Sequence, residues 1–188
     1  MKITVSGPPG SGKTTVSQIL SKKLGFELIT GGAIFRSYAL ERNISLSEMG
    51  ERAEKDPEFD KELDLYLLKI LKTKDNIVVE SRLSGWLCYI NKIEAFKIFL
   101  TASESIRIGR IRSSIQERRE EQTGDITSLI REREESEWKR YHKYYNIDFK
   151  DTSIYDTVID SSDRNPEEVV EVIISALDIW KRAQRKNY

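Results

Sequence analysis

Gly7-Pro8-Pro9-Gly10-Ser11-Gly12-Lys13-Thr14-Thr15 carries the full spacing G-x-x-x-x-G-K-T, and the residues on either side decide how it is read. Before it stand Ile3, Thr4 and Val5, β-branched residues that read as a short strand. After it, Val16, Ile19, Leu20 and Leu24 recur at helical spacing. Strand, glycine-rich loop and helix form the context in which such a loop holds a polyphosphate. The glycines let backbone N–H groups come close to phosphate oxygens. Lys13 then reaches the terminal phosphates, the Thr14 hydroxyl ligates Mg²⁺, and the helix adds the positive end of its dipole. The stretch from Gly7 to Thr15 is therefore expected to bind a nucleoside triphosphate.

Working outward, short apolar runs alternate with helical patterns, which predicts a parallel sheet covered by helices. The expected strands are Lys2–Ser6, Glu27–Thr30, Asn76–Glu80, Ala95–Leu100 and Thr157–Asp160. The third is the clearest, an apolar run that ends in a carboxylate. In such sheets ligands sit at the carboxyl ends of the strands. Helix starts are legible in the capping box Ser45-Leu46-Ser47-Glu48, in Asp56-Pro57, and in Asn165-Pro166-Glu167-Glu168. Phe59, Leu63, Tyr66, Leu67, Ile70 and Leu71 mark one core-facing stripe, and Val169, Ile173, Leu177 and Trp180 another. The long helical excursion between the second and third strands exceeds a simple crossover and is expected to form a lobe over the strand ends.

The 188 residues suit one compact domain, and a hydrophobic fraction of 38% is enough for a core. No apolar run approaches membrane-spanning length and no leader precedes the first strand, so a cytoplasmic protein is expected. Cys88 is the only cysteine, which excludes an internal disulfide and a cysteine zinc site. The 31 Lys and Arg balance the 31 Asp and Glu, so no net field draws nucleic acid or a membrane surface.

The arginines narrow the chemistry. Residues 107–140 hold nine basic and eight acidic side chains, a near-neutral mixture unlike a nucleic-acid surface. Arg133, Glu137 and Arg140 fall on one helical face, and Arg107 and Arg110 share a face of the preceding helix. Two arginines bracketing a carboxylate can grip a phosphate together with a donor group, and Arg supplies the planar fork that phosphoryl transfer needs. Gly31-Gly32-Ala33-Ile34-Phe35-Arg36 opens a helix after the second strand, suited to a second phosphorylated ligand. A third element, Glu80-Ser81-Arg82-Leu83-Ser84-Gly85-Trp86, emerges from the tip of the third strand.

With these elements the chain resembles the nucleoside monophosphate kinases, and specifically the short, archaeal-type cytidylate kinases, over essentially its whole length. Residues 31–36 look like the element that receives the monophosphate, with Arg36 on its phosphate and Gly31 and Gly32 beneath it. Residues 80–86 resemble the third-strand element, with Arg82 on that phosphate or the base and Gly85 beside it. Arg133-x3-Glu137-x2-Arg140 matches the spacing of the lid motif Arg-x3-Asp-x2-Arg, with Glu in place of Asp. The stretch Tyr144-Tyr145-Asn146-Ile147-Asp148 resembles the end of that lid, and the base-covering insertion of longer bacterial relatives is missing. The resemblance implies a five-stranded parallel sheet of order 2-3-1-4-5. It also implies a core of residues 1–30, 75–103 and 155–188, a monophosphate-binding lobe of 31–74 and a lid of 104–150, in a monomer.

The implied reaction is phosphoryl transfer from ATP to CMP or dCMP with Mg²⁺, giving ADP and CDP or dCDP. The acceptor phosphate is already ionised, so no general base is needed, and His142, the only histidine, is expected to pack or face solvent. Lys13, Arg133 and Arg140 would stabilise the transferring group, with Arg107 or Arg110 near the donor. Two alternatives share parts of this pattern. The sheet and loop suit an AMP or UMP kinase equally, and only the elements at 31–36, 80–86 and 133–140 favour cytidine. A regulatory GTPase needs N-K-x-D and D-x-x-G, for which Asn91-Lys92-Ile93-Glu94 is a poor substitute.

Overall fold

The structure, a computed structural model, describes residues 1–45, 48, 57–118 and 125–186. Along these the order is β1 (Lys2–Ser6), α1 (Lys13–Leu24), β2 (Glu27–Thr30), α2 (Gly31–Glu41), α3 (Pro57–Thr73) and β3 (Ile77–Glu80). Then come α4 (Ser84–Ile90), β4 (Phe96–Thr101), α5 (Glu104–Arg118), α6 (Ile126–Tyr145), β5 (Thr157–Asp160) and α7 (Pro166–Lys186). The strands pair parallel throughout in the order β2-β3-β1-β4-β5, as the resemblance implied. Parallel neighbours need crossovers, and the intervening helices supply them.

Both faces of the sheet are covered, which is why β3 reads as a continuous apolar run and is buried along its length. On one face α1 and α7 pack Val16, Leu20, Val169, Ile173 and Leu177 against Ile3, Val5, Ile98 and Leu100. On the other, Leu67 and Leu71 of α3 and Trp86 and Leu87 of α4 pack against Ile77, Val79 and Phe99. Trp180 closes the α7 stripe half-buried, its ring centroid 5.7 Å from that of Phe96. Cys88 lies wholly inside the second layer, and burial pushes its thiol up to about 12.

Local signals end where the backbone chemistry says they should. Gly25 adopts φ 67°, and the Gly25 and Phe26 N–H groups return to Lys22 O and Ser21 O, closing α1. Asn165 and Glu168 bond reciprocally at the head of α7, at 2.8 and 2.9 Å, with Pro166 in the first helical position. Ser45 and Glu48 make the other reciprocal box, while Leu46, Ser47 and Asp56 lie outside the described residues, as does the side chain of Phe59.

Three expectations need adjusting. β3 begins at Ile77 because Asn76 turns into it at φ 53°. β4 runs one residue later than expected, since the Thr101 carbonyl accepts the Ser161 N–H at 2.9 Å and so joins the ladder. Tyr66 is 45% exposed rather than core, with its ring edge-on to Tyr38. Among the described residues no helix is long and apolar enough to cross a membrane.

Candidate active site

The loop between β1 and α1 is shaped by close approaches that only glycine permits. Gly7 sits at φ 145°, where an added Cβ would come within 2.1 Å of the Leu100 carbonyl oxygen. Gly10, at φ 74°, lies against the backbone of Arg107, with a hypothetical Cβ only 2.5 Å from its carbonyl oxygen. Gly12 takes φ 83° at the N-cap of α1, leaving the first amides of that helix turned toward the loop. The Lys13 ammonium donates to the Pro8 carbonyl at 2.8 Å, so it lies over the loop it is meant to serve. Thr14 and Thr15 are exposed at the head of α1, and Ser11 is buried.

At the tip of β3 the Glu80 carboxylate is nearly buried, and its Oε2 stands 3.4 Å from the Thr14 hydroxyl. Both are hard oxygen donors at the carboxyl edge of the sheet. That pairing suits a divalent cation of the Mg²⁺ class.

Arg110 reaches from α5 to the end of β5. Its Nη1 donates to Ser161 Oγ at 2.9 Å and its Nη2 to the Ser161 carbonyl at 2.7 Å. The Ser161 hydroxyl in turn donates to the Ser11 carbonyl at 3.0 Å, which fastens the loop to the far strand. These groups line a cleft of about 1050 Å³, roomy enough for a nucleotide. Arg164, Ser162 and Ile106 also line it. Arg107 stands outside that lining, where its Nη1 donates to the Pro9 carbonyl at 3.1 Å and to Glu134 Oε1 at 2.6 Å.

Some of the remaining predicted residues meet at the tip of β3. Arg82 forms a largely buried ion pair with Glu137 of α6, which joins the elements at 80–86 and 133–140. Gly31 packs against Ser81, an added Cβ lying 3.0 Å from the Ser81 Cβ, so the head of α2 adjoins the same tip. Arg36 is exposed one turn into α2, its Nη1 3.4 Å from where a Cβ on Gly32 would stand. Arg140 follows Glu137 on α6 and donates to Ser136 Oγ at 2.8 Å. Arg133 lies in α6, but its side chain is outside the described part of the structure. Gly85 is accounted for by packing: it is buried, its N–H donates to Ser6 Oγ, and its missing Cβ would meet the Tyr155 ring at 2.4 Å.

A family model described as an AAA domain matches residues 3–140. The cytidylate kinase of Halobacterium salinarum is 41% identical over 181 residues, which is 96% of this chain and 91% of that protein. The cytidylate kinase of Archaeoglobus fulgidus is 39% identical over 96% of this chain and 97% of that protein. This chain belongs to the cytidylate kinase family. Its fold also superposes on a gluconokinase from Sinorhizobium meliloti, with a TM-score of 0.67 at 16% identity over 99% of this chain and 96% of that one. The wider likeness concerns the fold alone.

The sequence assigns no role to three residues that stand beside the site, Glu80, Ser161 and Glu134. Glu80 reads there only as a strand-end carboxylate. Its partner Thr14 lies 66 residues earlier, a contact that needs the β1–β3 pairing to be known. Ser161 and Glu134 meet residues of the loop and of α5 that are far away in sequence. His142 stacks on Trp138 at 5.2 Å, as expected of a packing residue.

Proposed function

We propose that the protein transfers the terminal phosphoryl group of ATP to CMP or dCMP, giving ADP and CDP or dCDP. The observation that carries this reading is the tip of β3, where Glu80 faces the phosphate loop through Thr14 and Arg82, two residues on, pairs with Glu137 of α6. Donor-side and acceptor-side groups thus abut at one strand end, as direct transfer between two anions requires. On this reading α2 and α3 form the acceptor lobe, and α5 and α6 form a lid.

In the reaction an acceptor phosphate oxygen attacks the γ-phosphorus of ATP, and the bond from that phosphorus to the β-bridging oxygen breaks to release ADP. The nucleophile is ionised at neutral pH, so the protein's task is alignment and neutralisation of charge. Lys13 and the loop amides hold the donor phosphates. Thr14 and Glu80 would hold Mg²⁺, whose charge offsets that of the donor phosphates. Arg36 and Arg82 bind the acceptor phosphate, and Arg133 and Arg140 close on the transferring group with Glu137 between them. Arg110 walls the donor cleft, and Arg107 flanks the loop. Closure excludes water, which otherwise competes as acceptor.

Free nucleotides as substrates suit a monomer acting in the cytoplasm, without nucleic acid or membrane. The test is steady-state turnover with each nucleoside monophosphate at saturating ATP and Mg²⁺. CMP or dCMP is expected to give the highest kcat/KM. A higher value with AMP or UMP would transfer the assignment to that acceptor, and turnover independent of any monophosphate would overturn it.

A further inference from the structure

We propose that Glu134 is a positioning residue for the donor side of the reaction: it fixes the Arg107 guanidinium on the Pro9 carbonyl and, through α6, ties it to the acceptor-side pair Arg82–Glu137. The inference rests on the phosphoryl-transfer reading above. Its geometry begins with one nitrogen, Arg107 Nη1, shared between Pro9 O at 3.1 Å and Glu134 Oε1 at 2.6 Å. The backbone of Arg107 is already set against the loop at Gly10, so the direction of the side chain is what remains to be fixed. Glu134 fixes it from a different helix.

Burial separates this contact from an ordinary helix-to-helix ion pair. The Arg107 and Glu134 side chains are 12% and 21% exposed, whereas Arg131 and Glu104, which also join α6 to α5, are 65% and 46% exposed. The exposed pair is open to screening and contributes little, while the sheltered one holds its geometry. Spacing adds the second half of the argument. Glu134 and Glu137 are three residues apart on α6 and so share a face. One holds an arginine of α5 at the phosphate loop, and the other holds the arginine at the tip of β3. The helix works as a bar that sets the spacing between guanidinium groups of the two nucleotide sites.

Removing the Glu134 charge weakens the charge-assisted half of the hold on the Arg107 guanidinium, which the Pro9 carbonyl shares. MgATP binding should suffer and CMP binding should not. The test is calorimetric titration of the full-length protein with MgATP and, separately, with CMP, for wild type, E134Q, E134D and E104Q. E134Q is expected to weaken MgATP about tenfold and to change CMP by less than about twofold, with E134D recovering part of the loss. E104Q, which breaks the exposed pair with Arg131 between the same helices and leaves the Glu134 hydrogen bond to Arg107 in place, is expected to match wild type for both ligands. Unchanged or tighter MgATP binding in E134Q, an equal loss for CMP, or the same loss in E104Q would each overturn the proposal. If E134Q does not melt cooperatively, Arg107→Lys replaces it, with the same selective loss expected and the same outcomes against it. Failure of the underlying reading looks different: wild type would bind MgATP yet neither bind nor phosphorylate CMP, and the comparison of MgATP affinities would still be read.

Discussion

The Thr14 hydroxyl at the head of α1 stands 3.4 Å from Oε2 of Glu80 at the tip of β3. Two oxygen donors are brought together there by the β1–β3 register, and in the proposed reaction they would seat a hard cation beside the glycine-rich loop. Glu80→Gln keeps the shape and removes the charge. It is expected to raise the Mg²⁺ concentration for half-maximal rate about tenfold and to lower kcat about 100-fold, with the melting temperature little changed. A Mg²⁺ titration at fixed ATP checks this, and chelation of the metal should abolish turnover in the wild type.

Lys13 rests on the Pro8 carbonyl at 2.8 Å, a contact it can exchange for a phosphate without moving far. Lys13→Ala is expected to lower kcat by at least about 100-fold while the circular dichroism spectrum and melting curve stay near wild type. Arg133→Ala, which removes a guanidinium proposed to close on the transferring group, should cost a similar factor. Near-normal turnover in either variant would remove that residue from the mechanism.

Gly10 faces backbone rather than a side chain that can step aside. Its φ of 74° and the 2.5 Å approach to the Arg107 carbonyl oxygen both exclude a methyl group. Gly10→Ala should push α5 off the loop, lower stability by about 1–3 kcal/mol and weaken MgATP binding. Chemical denaturation and ATP titration of the same preparation measure both effects.

Alkaline pH should destabilise the protein through two buried acids. Burial pushes the Cys88 thiol and the Tyr155 phenol up to about 12, from ordinary values of 9.0 and 10.0. The unfolded chain therefore loses these protons first. Their contribution is fully present below 9.0 and fades as pH climbs from there toward 12. The melting temperature followed over that range should fall, and less steeply in Cys88→Ala than in wild type.

What was legible in the sequence was local. Gly7 to Thr14 declared the loop because every constraint on it is met within a dozen residues, and Asn165 with Glu168 declared a helix start for the same reason. Strand edges slipped by a residue where neighbours decide them, as when Ser161 recruits Thr101 into the ladder. Arg82 and Glu137 were both singled out, yet nothing in their spacing announced that they would pair across 55 residues of chain (137 − 82). Glu80 and Glu134 were harder still, since carboxylates are common and only the fold supplies their partners. Gly85 shows the converse: a glycine three residues after Arg82 is matched by an aromatic ring packed on it.

Because the Ser11 carbonyl is held by the Ser161 hydroxyl, and Gly10 by Arg110, the loop near the start of the chain is finished by residues from its middle and its later part. On the ribosome, the N-terminal strand and helix emerge long before β5. A nascent chain halted short of residue 161 therefore holds the complete nucleotide-gripping motif without the brace that gives it its shape. Competence for ATP is therefore expected to arrive late in synthesis, with β5 rather than with the first loop.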